Sequence, residues 1–210
     1  MEYHTYPPHP DLELLVNCYW TLEVPADSAR IRQRIVPDGL LELAFILGDD
    51  IKRYTSEDEF ILQPRAMVLG QTMEPFHIEP TGYVNSFAVR FYPYGFANLV
   101  SAPIGQLVNK ETPLAALFGD TEANALEQKI IAARDVKQRI QIVETFLFQK
   151  LKEPIVIDHL VKSTVEMLVA TSGSASVNTL LKESSAQRRQ LERKFTRLIG
   201  VSPKQFGKVV

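Results

Sequence analysis

Three arginines near the end of the 210-residue chain carry the most legible chemistry. Arg189, Arg193 and Arg197 stand four residues apart, so in a helix they share one face. With Leu191 as zero and about 100° per residue, they fall at ~160°, ~200° and ~240°, while Phe195, Leu198 and Ile199 lie within ~80° of Leu191. Like charges at that spacing repel unless something negative lies against them. In a helix seated in a DNA major groove, Arg donates bidentately to guanine N7 and O6, and further Arg and Lys grip phosphates. Gln190 lies beside these arginines, Arg188, Lys194 and Lys204 are further basic residues suited to phosphate, and Glu192 has the acceptor that cytosine N4 requires. A solvated basic helix without a partner has the same pattern, so both readings stand on the wheel alone.

A second set lies in strand-like segments upstream: Trp20, Glu42, His77, Arg90 and Tyr92. Glu42 interrupts an apolar run, and Arg90 sits between Val89 and Phe91. Small β-barrels can enclose one ligand among apolar walls with a few polar groups. These five are the candidates to line such a pocket, against the plainer reading that Glu42 and Arg90 neutralise each other.

Catalytic chemistry finds no set of residues. The histidines are His4, His9, His77 and His159, none with a partner at metal-ligand spacing, so a metal-dependent cupin-type oxygenase lacks its ligands. No Gly-rich phosphate loop follows a strand, and no Ser sits in a Gly-x-Ser-x-Gly elbow. Cys18, between Asn17 and Tyr19, reads as a small core residue. The expectation is a non-enzyme with no catalytic residue, no metal and no cofactor.

These groups must be positioned by a packed chain. With 45% apolar and 23% charged residues it has material for a core. One cysteine excludes a disulfide framework and fits a reducing cytoplasm. No apolar run approaches the ~20 residues of a membrane span, and residues 1–10 lack the basic and apolar regions of a signal peptide. The expected location is therefore the cytoplasm, away from any membrane. The net charge of −2 hides an asymmetry: residues 174–210 hold eight basic and two acidic side chains, +6 in 37 residues, which leaves −8 on the other 173. An acidic body with a basic end is the charge footprint of a nucleic-acid-binding element joined to something else.

Up to about residue 95 the chain reads as β. Short aromatic and β-branched segments at 17–24, 30–36, 40–47, 64–71, 75–80 and 83–93 are divided by turn signals such as Pro37-Asp38-Gly39. Short helices are expected at 95–101 and 104–108, and amphipathic ones at 122–133, 136–151 and 155–171. The segments 176–184 and 186–199, with Gly200 as a stop, have the helix-turn-helix plan. The expected fold class is α+β: an N-terminal small β-barrel or sandwich, cupin-like, followed by an all-α region ending in a helix-turn-helix. The expected parts are a β-rich sensor or dimerisation domain at 1–110, a helical connector at 111–153 and a partial DNA-binding domain at 154–210.

The segment 188–206, RRQLERKFTRLIGVSPKQF, resembles the helix-turn-helix segment of the AraC/XylS family of transcription regulators. The matching residues are Arg193, Phe195, Gly200, Ser202, Pro203 and Phe206. The resemblance implies that 155–171 is the preceding helix and that base contacts fall to Arg189, Glu192 and Arg193. IVPDGLLELAF (35–45), GQT (70–72) and VRFYPYG (89–95) are similar to the sensor domain that precedes this module in part of the family. Two positions depart from the pattern: Leu181 stands where the family usually has Ala, and Gln187 where it usually has Ser. The family's module has two helix-turn-helix units, and this chain stops near the start of the helix that joins them, so a truncated form is expected. The implied partners are double-stranded DNA, for the full-length protein, an unidentified small-molecule effector and a possible homodimer. The competing reading is a ligand-binding or dimerisation module without DNA activity of its own; a barrel enzyme ranks last.

Overall fold

The computed structural model describes residues 1–29, 31–151, 155, 157–175 and 185–210. Two antiparallel sheets form the N-terminal unit. The larger has the order β1 (Glu2–Tyr6), β2 (Val16–Val24), β9 (Val84–Phe91), β4 (Leu41–Ile46), β7 (Ala66–Leu69) and β10 (Glu111–Pro113). The smaller runs β3 (Gln33–Ile35), β8 (Phe76–Pro80), β5 (Ile51–Tyr54) and β6 (Phe60–Leu62). The sheets face each other without joining, with β1, β10, β3 and β6 as edges. This corrects the expected closed barrel: its sandwich alternative describes the N-terminal unit, because no hydrogen-bonded ladder links one sheet's edge to the other's.

The central strands β9, β4 and β7 of the larger sheet are largely buried on both faces, and period-two alternation decides what each face meets. Leu41, Leu43 and Phe45 of β4, with Phe87, Val89 and Phe91 of β9, pack into the main core with the helices. Ala44, Ile46 and Ala88 point the other way, into the space between the sheets. The helices on the outer face are α2 (Leu114–Phe118), α3 (Asp120–Ala132) and α4 (Val136–Lys150). Their Leu114, Leu126, Ile130, Val143 and Leu147 belong to the same core as the sheet. Of the expected connector at 111–153, the described residues 111–151 are thus packed together with the β unit, and β10 is itself a strand of the larger sheet.

The first residues, not among the segments expected as strands, form edge strand β1 in register with Tyr19–Glu23 of β2. A short helix, α1 (Ala26–Ala29), follows β2. The segments expected as helices at 95–101 and 104–108 contain only 3-10 turns, at Phe96–Asn98 and Ile104–Leu107.

A second core holds the C-terminal elements α5 (His159–Ala170), α6 (Ser185–Ile199) and α7 (Pro203–Phe206). Asp158 starts α5, its carboxylate accepting from the backbone N–H groups of Leu160 and Val161. Ser202 starts α7 through a reciprocal capping box with Gln205. Gly200 stops α6 with φ +92°, and it lies so close to Ile104 and Gly105 that a Cβ would stand 3.1 Å from the Gly105 nitrogen. The expected first helix of the helix-turn-helix, 176–184, lies outside the described residues, and Leu181 with it.

Candidate functional site

Helix α6 is strongly two-faced. Leu191, Phe195 and Ile199 are fully buried, packed with Val161, Val165 and Leu168 of α5 and with Phe206 of α7. Every third or fourth residue being apolar fixes which face turns in. Arg188, Arg189, Gln190, Glu192, Arg193 and Arg197 are exposed, as is Lys204 on α7. Two of the basic residues are tied within the protein. Arg188 pairs with Glu192 one turn on, Nε to Oε1 at 3.2 Å. Lys194 is half-buried, its Nζ 2.6 Å from Oδ2 of Asp158. Burial alone would raise the Asp158 carboxyl, but the Lys194 hydrogen bond and the capped N–H groups outweigh it and hold the group below its ordinary value.

Arg189, Arg193 and Arg197 line one wall of an open groove of about 910 Å³. Its opposite wall is the 97–105 stretch of the N-terminal unit. The exposed arginine face therefore borders the other half of the molecule along one side.

The second site lies between the two sheets, in a cavity of about 300 Å³. Its walls are mainly apolar, with Leu22, Ala44, Met67 and Val84 from the larger sheet and Ile35, Phe76 and Ile78 from the smaller. Three of the five expected pocket residues meet here. Glu42 of β4 and Arg90 of β9 are directly opposed in register, and Trp20 of β2 lies opposite Ala88, two residues along β9. Arg90 Nε donates to Glu42 Oε1 at 2.7 Å, and Trp20 Nε1 donates to the same oxygen at 3.1 Å. Arg90 also approaches Asp38, 3.7 Å from NH2 to Oδ2. Burial pushes the Glu42 carboxyl above its ordinary value despite the Arg90 charge. Burial would lower Arg90, but Glu42 outweighs it and raises the guanidinium further.

His77 and Tyr92 lie away from this cavity. The alternation of β8 that turns Phe76 and Ile78 inward turns His77 out, to an open groove shared with Arg53. Tyr92 comes just after β9, where the chain leaves the sheet; its ring stacks on Tyr94, with centroids 5.9 Å apart, beside the C-terminal core.

Among the described residues, no group of three or more His, Cys, Asp or Glu could hold a metal ion, and no helix is long and apolar enough to cross a membrane.

A family model described as "Domain of unknown function (DUF6597)" matches residues 4–113, just over half of the chain. The chain belongs to this family. The DUF6597 match ends on the last residue of β10, so the family's domain coincides with the two-sheet unit and its cavity, and α2 to α7 follow it. None of the curated proteins matches the chain. A solved structure of an HTH_3 family transcriptional regulator from Vibrio cholerae is 16% identical over 43% of this chain and 50% of that one, with a TM-score of 0.32. A structure of Phpd with cadmium complexed with hydroethylphosphonate is 11% identical over 97% of this chain and 47% of that one, with a TM-score of 0.29. The chain spans about half the length of these two solved structures.

The DUF6597 unit also holds polar groups that sequence reasoning missed. Tyr3, Gln33, Gln63 and Ser86 border the cavity. Tyr3 lies in the first ten residues, which carry no strand pattern of their own. Gln33 and Ser86 carry a signal in hindsight, being polar positions within alternating strands, while Gln63 lies beyond the end of β6 and had none. Next to the cavity, Gln63 donates to Glu111 at 2.6 Å and Arg53 Nε lies 3.3 Å from the same carboxylate. Those three come from distant segments, so no local pattern announces them.

Proposed function

We propose that the chain is a DNA-binding transcription regulator, with α6 as its DNA-reading helix and the two-sheet unit as its sensing or dimerising part. The observation that carries the reading is the split of α6: a fully buried Leu191–Phe195–Ile199 stripe opposite the exposed Arg189, Arg193 and Arg197. A helix held rigidly by its apolar side presents its arginines to the solvent as a set, as major-groove reading demands. The resemblance of 188–206 to AraC/XylS regulators supports the same assignment. In this reading Arg189, Glu192 and Arg193 face bases, and Arg197 and Lys204 face phosphates. Arg188 and Lys194 reach phosphate only by giving up Glu192 and Asp158. The protein works inside the cell, performs no reaction and needs no cofactor.

A second reading, a ligand-binding or dimerising module without DNA activity, is favoured by one observation. The arginine face borders the 97–105 stretch, which narrows the approach of a duplex from that side.

Fluorescence anisotropy with labelled duplex DNA at increasing salt separates the two. The regulator reading expects binding at low salt, with log K falling linearly with log salt by about 0.9 per phosphate contact. No binding at the lowest salt would establish the second reading.

A further inference from the structure

We propose that the cavity between the sheets binds an uncharged, mainly apolar molecule bearing one hydroxyl or N–H group, which donates to Glu42. The proposal deepens the reading of the two-sheet unit as a sensor and rests on it. Size comes first: about 300 Å³ is at the small end of ligand cavities, and the walls are aliphatic and aromatic. Polarity comes second. Both hydrogen bonds that hold Glu42, from Trp20 and from Arg90, end on Oε1. Its other oxygen, Oε2, is left as the acceptor that a ligand meets.

Charge decides the class. The Glu42 carboxylate is already opposed by Arg90, which in turn has Asp38 as a second counter-charge. A cationic ligand would bring its charge beside the Arg90 guanidinium. An anionic one would bring its charge beside Glu42 and Asp38, with Arg90 already committed to both. Either would lose its hydration in a mainly apolar space without an unclaimed counter-ion. A neutral donor costs neither of these, and leaves no buried polar group of its own unpaired.

Trp20 is the only tryptophan of the chain and forms part of the cavity wall, so its fluorescence reports occupancy at this place. The test uses the intact chain and four probes on one skeleton: 4-propylphenol, propylbenzene, 4-propylbenzoate and 4-propylbenzylamine, the last cationic at neutral pH. The expected result is a saturable change in Trp20 emission with the phenol. Propylbenzene binds about five-fold more weakly, for want of one hydrogen bond, and the two charged probes at least about ten-fold more weakly. In Glu42→Gln the amide keeps its oxygen on Trp20 and Arg90 and turns its NH2 to the cavity, where it meets the phenol only through that oxygen's weaker acceptor capacity, so the advantage of the phenol over propylbenzene shrinks. If Glu42→Gln fails to fold, judged by circular dichroism, the series on the unmodified protein decides alone. A charged probe binding as tightly as the phenol, propylbenzene matching it, or no saturable change with any of the four overturns the proposal. No DNA enters the measurement, so this inference and the regulator reading fail separately.

Discussion

Gly39 lies against the ring of Phe206. Its φ is +76°, and a Cβ on it would stand 2.8 Å from Phe206 Cε2 and 2.7 Å from Val210 Cγ1. The preceding residue, Asp38, reaches back to Arg90 of the cavity. One turn of the two-sheet unit therefore touches both the cavity's ion pair and the hydrophobic core behind α6. Gly39→Ala is expected to destabilise the protein by about 1–3 kcal/mol, from the left-handed backbone and the lost space together. Part of that cost disappears when Phe206→Ala is already present, because the ring is then gone. Urea denaturation of the two single variants and the double variant measures this non-additivity; strictly additive costs would place the whole effect in the backbone and Val210.

The two faces of α6 make opposite predictions. Phe195→Ala empties a fully buried site and is expected to cost about 3–5 kcal/mol. Arg189→Ala changes an exposed side chain and should leave stability within about 0.5 kcal/mol. Thermal denaturation of both checks the burial pattern independently of any binding assay.

Asp158 links α5 to α6 through its cap and through Lys194. Asp158→Ala is expected to cost about 1 kcal/mol, the usual worth of an N-cap, with a small further loss from the partly exposed ion pair. The folded carboxyl sits below its unfolded value of about 3.9. Its contribution is therefore complete above that value and is lost as the pH falls through the folded value. The stability gap between the unmodified protein and Asp158→Ala should be constant near neutrality and close below about pH 4, as followed by denaturant unfolding across that range.

Arg90→Ala leaves the Glu42 carboxylate in the cavity wall with Trp20 as its remaining hydrogen-bond donor. A cost of about 1–3 kcal/mol is expected at neutral pH. The cost shrinks in the double variant Arg90→Ala with Glu42→Gln, where no uncompensated charge remains. It also shrinks as the pH is lowered, since protonated Glu42 needs no counter-charge. Chemical denaturation at two pH values tests both; an unchanged cost would mean that Arg90 acts by packing alone.

Short-range periodicity made much of this molecule legible. The wheel over 186–199 identified the buried Leu191, Phe195 and Ile199 and the exposed arginines of α6, because a helix that lies on a core has one apolar side, while Leu198, expected in the buried stripe, is only half-buried beside the open groove. The strands that carry Trp20, Glu42 and Arg90 were legible as short aromatic and β-branched segments divided by turn signals. What escaped depends on partners distant in sequence. Strand β1 is polar and aromatic and becomes a strand only because the edge of β2 accepts it. His77 and Glu42 looked alike as polar residues in strands, and only the direction of each sheet's faces separates them. Closure of a barrel is likewise a matter of how edge strands meet, which no local pattern encodes.

Selection from a random-sequence duplex pool by the intact chain at low salt tests the central claim most directly. The account predicts enrichment of a guanine-containing site, and its loss in a well-folded Arg189→Ala, Arg193→Ala double variant. A pool that remains unenriched, or an enrichment that the two substitutions leave unchanged, would contradict the assignment of α6 as a DNA-reading helix.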